Sequence, residues 1–220
     1  MSEDSPFGPE YHKIQTVFKR NGGKVIIPGE WTLPEFEYLA DTQWYWTEKV
    51  DGTNIRLHWN GSSVIIGGRT DNAQVPTPLL AKLQPLVSDI GLWRAVFGET
   101  PATVYGEGYG AKIQNGGNYR PDQDLIVFDI RIGHWWLRRE EVHGITARLG
   151  LWTVPWMYSE TLTQAIERVQ ECRLRSCWTK VAIEGIVGVP AVDLFTRRGD
   201  RIITKLKVKD FTDLRKSRES

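Results

Sequence analysis

The sequence predicts an α+β fold built mainly from antiparallel sheets with flanking helices. Three observations lead there. Short runs rich in Val, Ile, Trp, Tyr and Phe recur between Gly, Asn and Asp turns. Only a few stretches carry the 3.6-residue apolar period of a helix. The two kinds of segment do not alternate strictly, as a parallel βαβ sheet would require.

Residues 1–12, opening Met1-Ser2-Glu3-Asp4-Ser5, read as a flexible terminus. Thr32-Leu33-Pro34-Glu35 then supplies an N-cap, an early proline and a capping-box acid for a helix to about Ala40. Strands are expected over 44–49, 54–59, 63–69, 102–107, 125–131, 134–137, 181–188, 193–197 and 201–207. Asn60-Gly61 and Arg198-Gly199-Asp200 are hairpin turns in this reading. Helices are expected over 78–97, 139–149 and 161–175. In the last, Leu162, Ala165, Ile166, Val169 and Cys172 share one face. No repeat, long linker or low-complexity tract interrupts residues 1–220, so a single domain is expected.

At 40% hydrophobic and 25% charged residues the composition is that of a soluble globular protein. No apolar run approaches the roughly 20 residues of a membrane span, and the N-terminus lacks a signal-peptide pattern. Cys172 and Cys177 are the only cysteines and have no matching Cys or His pair. They support neither a disulfide framework nor a zinc site, and a reducing, cytoplasmic setting is expected. A net charge of +1 excludes polyanion binding by bulk charge alone. Basic residues nevertheless concentrate between Arg197 and Arg218. Of the ten tryptophans, most suit a core and a minority could stack on bases.

The most informative run is Thr47-Glu48-Lys49-Val50-Asp51-Gly52-Thr53-Asn54. It sets one lysine between the apolar Trp44-Tyr45-Trp46 and an Asp-Gly turn, where it can be held against a pocket. A lysine nucleophile needs such a place, because a solvated ammonium cannot attack. By itself the run fits a hairpin with a surface lysine slightly better.

Five further segments bear on that choice. Arg69 closes a strand after Gly67-Gly68 and can offer a planar fork to phosphate. Glu107, flanked by Gly106 and Gly108, can bring a carboxylate close to a ribose. Phe128 lies in Leu125-Ile126-Val127-Phe128-Asp129-Ile130, a buried-strand pattern. Glu184 interrupts the apolar run 181–189, where an unpaired carboxylate would be costly; a metal ion or a cationic partner would resolve it. Lys205 and Lys207 fall on one strand face, with Leu206 and Val208 on the other, and an anion between them would relieve their repulsion. Together these are the parts of nucleotidyl transfer: a lysine nucleophile, cations for phosphate and carboxylates for a divalent ion.

The ordered set Lys49-Val-Asp-Gly, Gly106-Glu107-Gly108, Phe128-Asp129, Glu184-Gly185 and Lys205-Leu-Lys207 resembles the covalent nucleotidyltransferase superfamily of polynucleotide ligases and mRNA capping guanylyltransferases. Within it the chain looks most like the adenylyltransferase domain of the phage RNA ligase 2 group. Asn54 stands where DNA ligases and capping enzymes usually carry Arg. The segment Lys205 to Phe211 resembles that group's last motif. About a dozen residues follow Lys207, so no OB-fold domain is expected.

The resemblance implies a ligase (ATP-grasp-like) nucleotidyltransferase domain. It implies an ATP-dependent RNA ligase that joins 3′-hydroxyl and 5′-phosphate ends through lysyl-AMP and an adenylylated 5′-phosphate. ATP and Mg2+ or Mn2+ are its implied cofactors. Its partner is nucleic acid, RNA favoured, with no membrane and no obligate protein. By residue, Lys49 is the nucleophile, Glu107 binds ribose, Phe128 stacks on adenine and Glu184 helps hold the metal. Lys205 and Lys207 contact phosphates. Asn54 and Arg69 contact AMP or the 5′-phosphate, Glu48 lines the adenine pocket, and Asp51 shapes the turn. No counterpart of that group's small C-terminal helical domain is expected, and the loop from Ala111 to Arg120, with its Lys, Arg, Asn and Tyr, reads as well as a strand-binding substitute as it does as an ordinary surface loop. Two other readings remain from the residues: a capping-type guanylyltransferase, and a nucleotide- or nucleic-acid-binding module without transfer chemistry.

Overall fold

The structure, a computed structural model, describes residues 5–219. In chain order its elements begin β1 (Gln15–Thr16), β2 (Phe18–Asn21), β3 (Val25–Trp31), α1 (Pro34–Tyr38) and β4 (Gln43–Lys49). There follow β5 (Thr53–Trp59), β6 (Val64–Gly67), α2 (Thr77–Ser88), α3 (Ile90–Phe97), β7 (Ala102–Gly110) and β8 (Gln123–Ile132). Next come β9 (Trp135–Trp136), α4 (Arg139–Arg148), β10 (Trp152–Thr153), β11 (Trp156–Thr161) and α5 (Leu162–Gln170). The last are β12 (Gly185–Pro190), β13 (Thr204–Lys207) and α6 (Val208–Glu219). The chain forms two compact units: the residues up to His12 with Asp51–Val154, and Lys13–Val50 with the residues from Pro155 onward. The α+β class and the mainly antiparallel pairing are as expected; among the described residues only β1 with β13 and β8 with β10 pair in parallel.

The unit containing Lys49 carries a five-stranded sheet in the order β1-β13-β12-β4-β11. Strand β4 alternates cleanly. Trp44, Trp46 and Glu48 are buried, while Tyr45, Thr47 and Lys49 are partly exposed on the opposite face. Trp44 and Trp46 stack at 5.7 Å and pack with Ile186, Leu206 and the buried stripe of α5. That helix starts at a true capping box, Thr161 with Gln164, and buries Leu162, Ala165, Ile166 and Val169 as its period predicts. Cys172 lies past the helix end with φ 53°.

The other unit is built on a six-stranded sheet ordered β10-β8-β7-β5-β6, with β9 paired to β8. Its core joins Ile55, Leu57, Val104, Val127 and Ile130 to Leu79, Leu83 and Trp93 of α2 and α3. The β7–β8 register slips at one place: Tyr105 faces Asp129 but Gly106 faces Val127, so Phe128 is the extra residue of a β-bulge.

Several expectations need correction. The 78–97 helix is two helices, because Asp89 ends the first and its side chain caps the second by accepting from the Leu92 N–H. Thr32 does not cap α1; Leu33 holds that position without a side-chain bond. The 193–197 strand reduces to an isolated bridge from Phe195 to Arg201, and the 181–188 strand begins at Gly185. Val208 opens a helix rather than continuing the strand. Residues 5–12 are not a frayed end: Tyr105 donates to Pro9 O, Arg56 to Gly8 O, and Tyr11 to Asp129, each within 2.9 Å. Residues 1–4 of that expected terminus lie outside the described residues. Among the described residues no helix is long and apolar enough to cross a membrane.

Candidate active site

The Asp51-Gly52 turn is not a hairpin. Strand β4 pairs with β11 and β12, and β5 pairs with β6 and β7, so the turn hands the chain from one sheet to another. Lys49 therefore ends a central strand, and its neighbours are set by β12. Gly185 of β12 is opposite Lys49 on one side and Lys207 on the other. Directly paired residues project to the same face, so Lys49 and Lys207 flank a residue that has no side chain. A Cβ at Gly185 would come within 2.0 Å of Leu206 O, so the position tolerates only glycine. The next row on this face is Lys205, Val187, Thr47 and Trp156.

Glu184, immediately before β12, receives both ammonium groups. Lys49 donates to one carboxylate oxygen and Lys207 to the other at 2.6 Å. This resolves the buried-acid problem posed by the sequence: the cationic partners belong to the protein. Burial alone would raise the Glu184 carboxyl, but the charge of Lys49 and the hydrogen bond from Lys207 outweigh it and hold the group below its ordinary value. Glu184 is thus ionised at neutral pH. Glu48 is placed otherwise. The pleat turns it to the face opposite Lys49, in the Ile186 row, where it is only 2% exposed and its charge helps raise the Cys177 thiol, which burial already pushes up.

In the other unit, Asn54 of β5 is paired directly with Glu107 of β7, so the two share one face. Asn54 Oδ1 is buried without a hydrogen-bond partner among the described residues, an acceptor that a bound donor would satisfy. Gly52 is packed hard against this pair: a Cβ there would fall 2.2 Å from Gly108 O and 3.0 Å from Glu107 Cγ. Phe128, re-aimed by its bulge, is partly exposed and meets the Tyr11 ring edge-on at 4.9 Å. Asp51 accepts from Asn115 Nδ2 at 2.7 Å, which anchors the 111–120 loop to the turn. Arg120 of that loop is engaged by Asp122 and Asp124 and lies over the Tyr109 ring, so its charge is already neutralised by acids. Arg69 is exposed beyond β6.

Three contributors were missed in the sequence. Thr47 was legible by alternation, two residues before Lys49. Arg56 is fully buried and holds Gly8 O, Gly68 O and Asp71 together. Tyr11 fell in the segment read as flexible. Among the described residues no group of three or more His, Cys, Asp or Glu could cage a metal. On the Lys49 face the carboxylate present is Glu184, ionised and shared by the two lysines. That suits a magnesium-type ion, which takes one or two carboxylates and completes its shell with substrate phosphates and water.

The family model described as RNA ligase matches residues 42–207. No curated protein sequence matches the chain significantly. Among solved structures, a mutant Naegleria gruberi RNA ligase in apo form superposes with a TM-score of 0.69 at 15% identity, over 98% of this chain and 59% of that one. The same ligase with pyrophosphate gives 0.68 at 16% over 97% and 59%. A mutant with ATP and manganese gives 0.69 at 15% over 96% and 59%. The chain thus spans about three-fifths of the length of these structures, and the likeness establishes the fold.

Proposed function

The chain belongs to the RNA ligase family, and from that premise we propose that it is an ATP-dependent RNA ligase. The observation that carries this reading is the pairing of Lys49 and Lys207 across Gly185, with Glu184 bridging them. Neither a plain hairpin nor a structural ion pair calls for two cations on either side of an obligatory glycine.

In this reading Lys49 loses its ammonium proton to solvent, the free amine attacks the α-phosphorus of ATP, the α–β anhydride breaks and pyrophosphate leaves. An oxygen of the strand's 5′-phosphate then displaces the lysine from AMP. Finally the 3′-hydroxyl attacks the 5′-phosphorus, AMP leaves and the phosphodiester is closed. Lys205 and Lys207 offset charge on the phosphates. Glu107, Asn54 and Phe128 serve the ribose and adenine. Glu184 and the phosphates would hold a divalent ion, which supplies charge neutralisation during transfer. Naegleria gruberi RNA ligase has been solved with ATP and manganese, which supports the same pair here. Asn54 and the segment from Lys205 to Phe211 favour the RNA ligase 2 group within the family. The free thiols Cys172 and Cys177 suit a reducing cytoplasm.

The test is incubation with Mg2+ and ATP labelled in its α-phosphate, followed by denaturing electrophoresis. Wild type should retain label and Lys49→Ala should not. Equal labelling of both proteins, or label taken up from GTP in preference to ATP, would overturn the reading; the second outcome would favour a guanylyltransferase.

A further inference from the structure

We propose that Trp156, packed at a tilt against Tyr45, is a base-stacking subsite for an unpaired nucleotide of the RNA strand, on the same sheet face as Lys49. The proposal rests on the ligase reading for its choice of RNA, and on geometry within one unit for its place. Strand β11 is the edge of the five-stranded sheet. Simple alternation would put Trp156 on the side of Tyr158 and Glu160, toward the core. The register slips at Met157 instead: Tyr158 faces Trp46, but Trp156 faces Thr47. This bulge turns the indole onto the Lys49 face, and bulges commonly re-aim a side chain in this way.

On that face Trp156 is 43% exposed, with its ring centroid 4.6 Å from that of Tyr45. One cross-strand row then runs Trp156, Thr47, Val187, Lys205. Three interstrand steps make it about 14 Å long. It has an aromatic surface at one end and a cation at the other, with the neighbouring row ending in Lys207. A flat aromatic beside cations on a shared face is the arrangement that binds single-stranded nucleic acid, the ring taking a base and the lysines the backbone. An apolar peptide would find no use for the lysines, and a free mononucleotide would not span the row.

The experiment measures anisotropy of a fluorescent, 5′-phosphorylated, single-stranded oligoribonucleotide of mixed sequence, with excess AMP to keep bases out of the nucleotide pocket. Trp156→Ala should bind roughly 5- to 150-fold more weakly, the range expected for loss of one stacked base. Trp156→Phe, which keeps an aromatic face, should recover most of that loss. Lysyl-AMP formation is followed on the same preparations. Unchanged RNA affinity in Trp156→Ala would overturn the proposal. So would a loss of lysyl-AMP formation as large as the loss of RNA binding, which would place the indole at the nucleotide. Failure of the ligase reading is separate: wild type would then form no lysyl-AMP, whatever Trp156 does to RNA affinity.

Discussion

Replacing Glu184 by Gln removes the charge that Lys49 and Lys207 share while keeping the shape of the side chain. The magnitude follows from burial. Exposed ion pairs contribute about 0.2–1 kcal/mol each, and breaking a fully buried pair costs about 3–5 kcal/mol. The side chains of Lys49, Glu184 and Lys207 are 22%, 18% and 32% exposed, between those limits. A loss of about 2 kcal/mol at pH 7 is expected, and for a chain of this size about 4–8 °C in Tm. The pH dependence gives a second handle. The folded-state pKa of Glu184 lies below its ordinary value of 4.5. Its contribution is therefore fully present above the unfolded-state pKa and is lost as pH falls through the lower folded value. The gap between wild type and Glu184→Gln should be widest at neutral pH, close in acid, and shrink in high salt. Differential scanning calorimetry across pH reads it directly. A Tm gap that stays constant into acid, or a variant as stable as wild type at neutral pH and low salt, would refute the shared-charge argument.

Other perturbations test the scaffold. Gly188→Ala places a Cβ 2.3 Å from the Trp46 ring; overpacking of that kind should cost about 1–3 kcal/mol, seen as a lower urea midpoint at unchanged m. Arg56→Met strands the Gly8 and Gly68 carbonyls that the guanidinium holds. It should cost about 2–4 kcal/mol and speed proteolytic cleavage within residues 5–12. Tyr11→Ala removes the ring edge that faces Phe128. An aromatic pair of about 0.5–1.5 kcal/mol corresponds to roughly a 2- to 10-fold rise in KM for ATP in lysyl-AMP formation, with Tyr11→Phe near wild type.

The candidate site residues were legible in the sequence. Lys49, Glu184, Lys205 and Lys207 each stand out locally, as a lysine after an aromatic strand, an acid in an apolar run and a same-face pair. The alternation of β4 and the stripe of α5 were also readable, because both periods are local properties of the backbone. Short elements such as β10 and β1 were not, since two residues carry no period. The 78–97 helix ran on in the reading because Asp89 fits a helical surface as well as it fits a cap.

From its sequence alone, then, this protein had its fold class, and Lys49, Glu184, Lys205 and Lys207 as candidates for its site. Tertiary structure decided what surrounds them. The Asp51-Gly52 turn joins different sheets, which no local pattern distinguishes from a hairpin. The row Lys49, Gly185, Lys207 depends on hydrogen bonds between strands far apart in the chain, and a period of two says which face a residue takes but not which strand lies beside it. The bulges at Phe128 and Met157 shift that face by one residue, and Gly8, Pro9 and Tyr11 became structure only because Arg56, Tyr105 and Asp129 hold them.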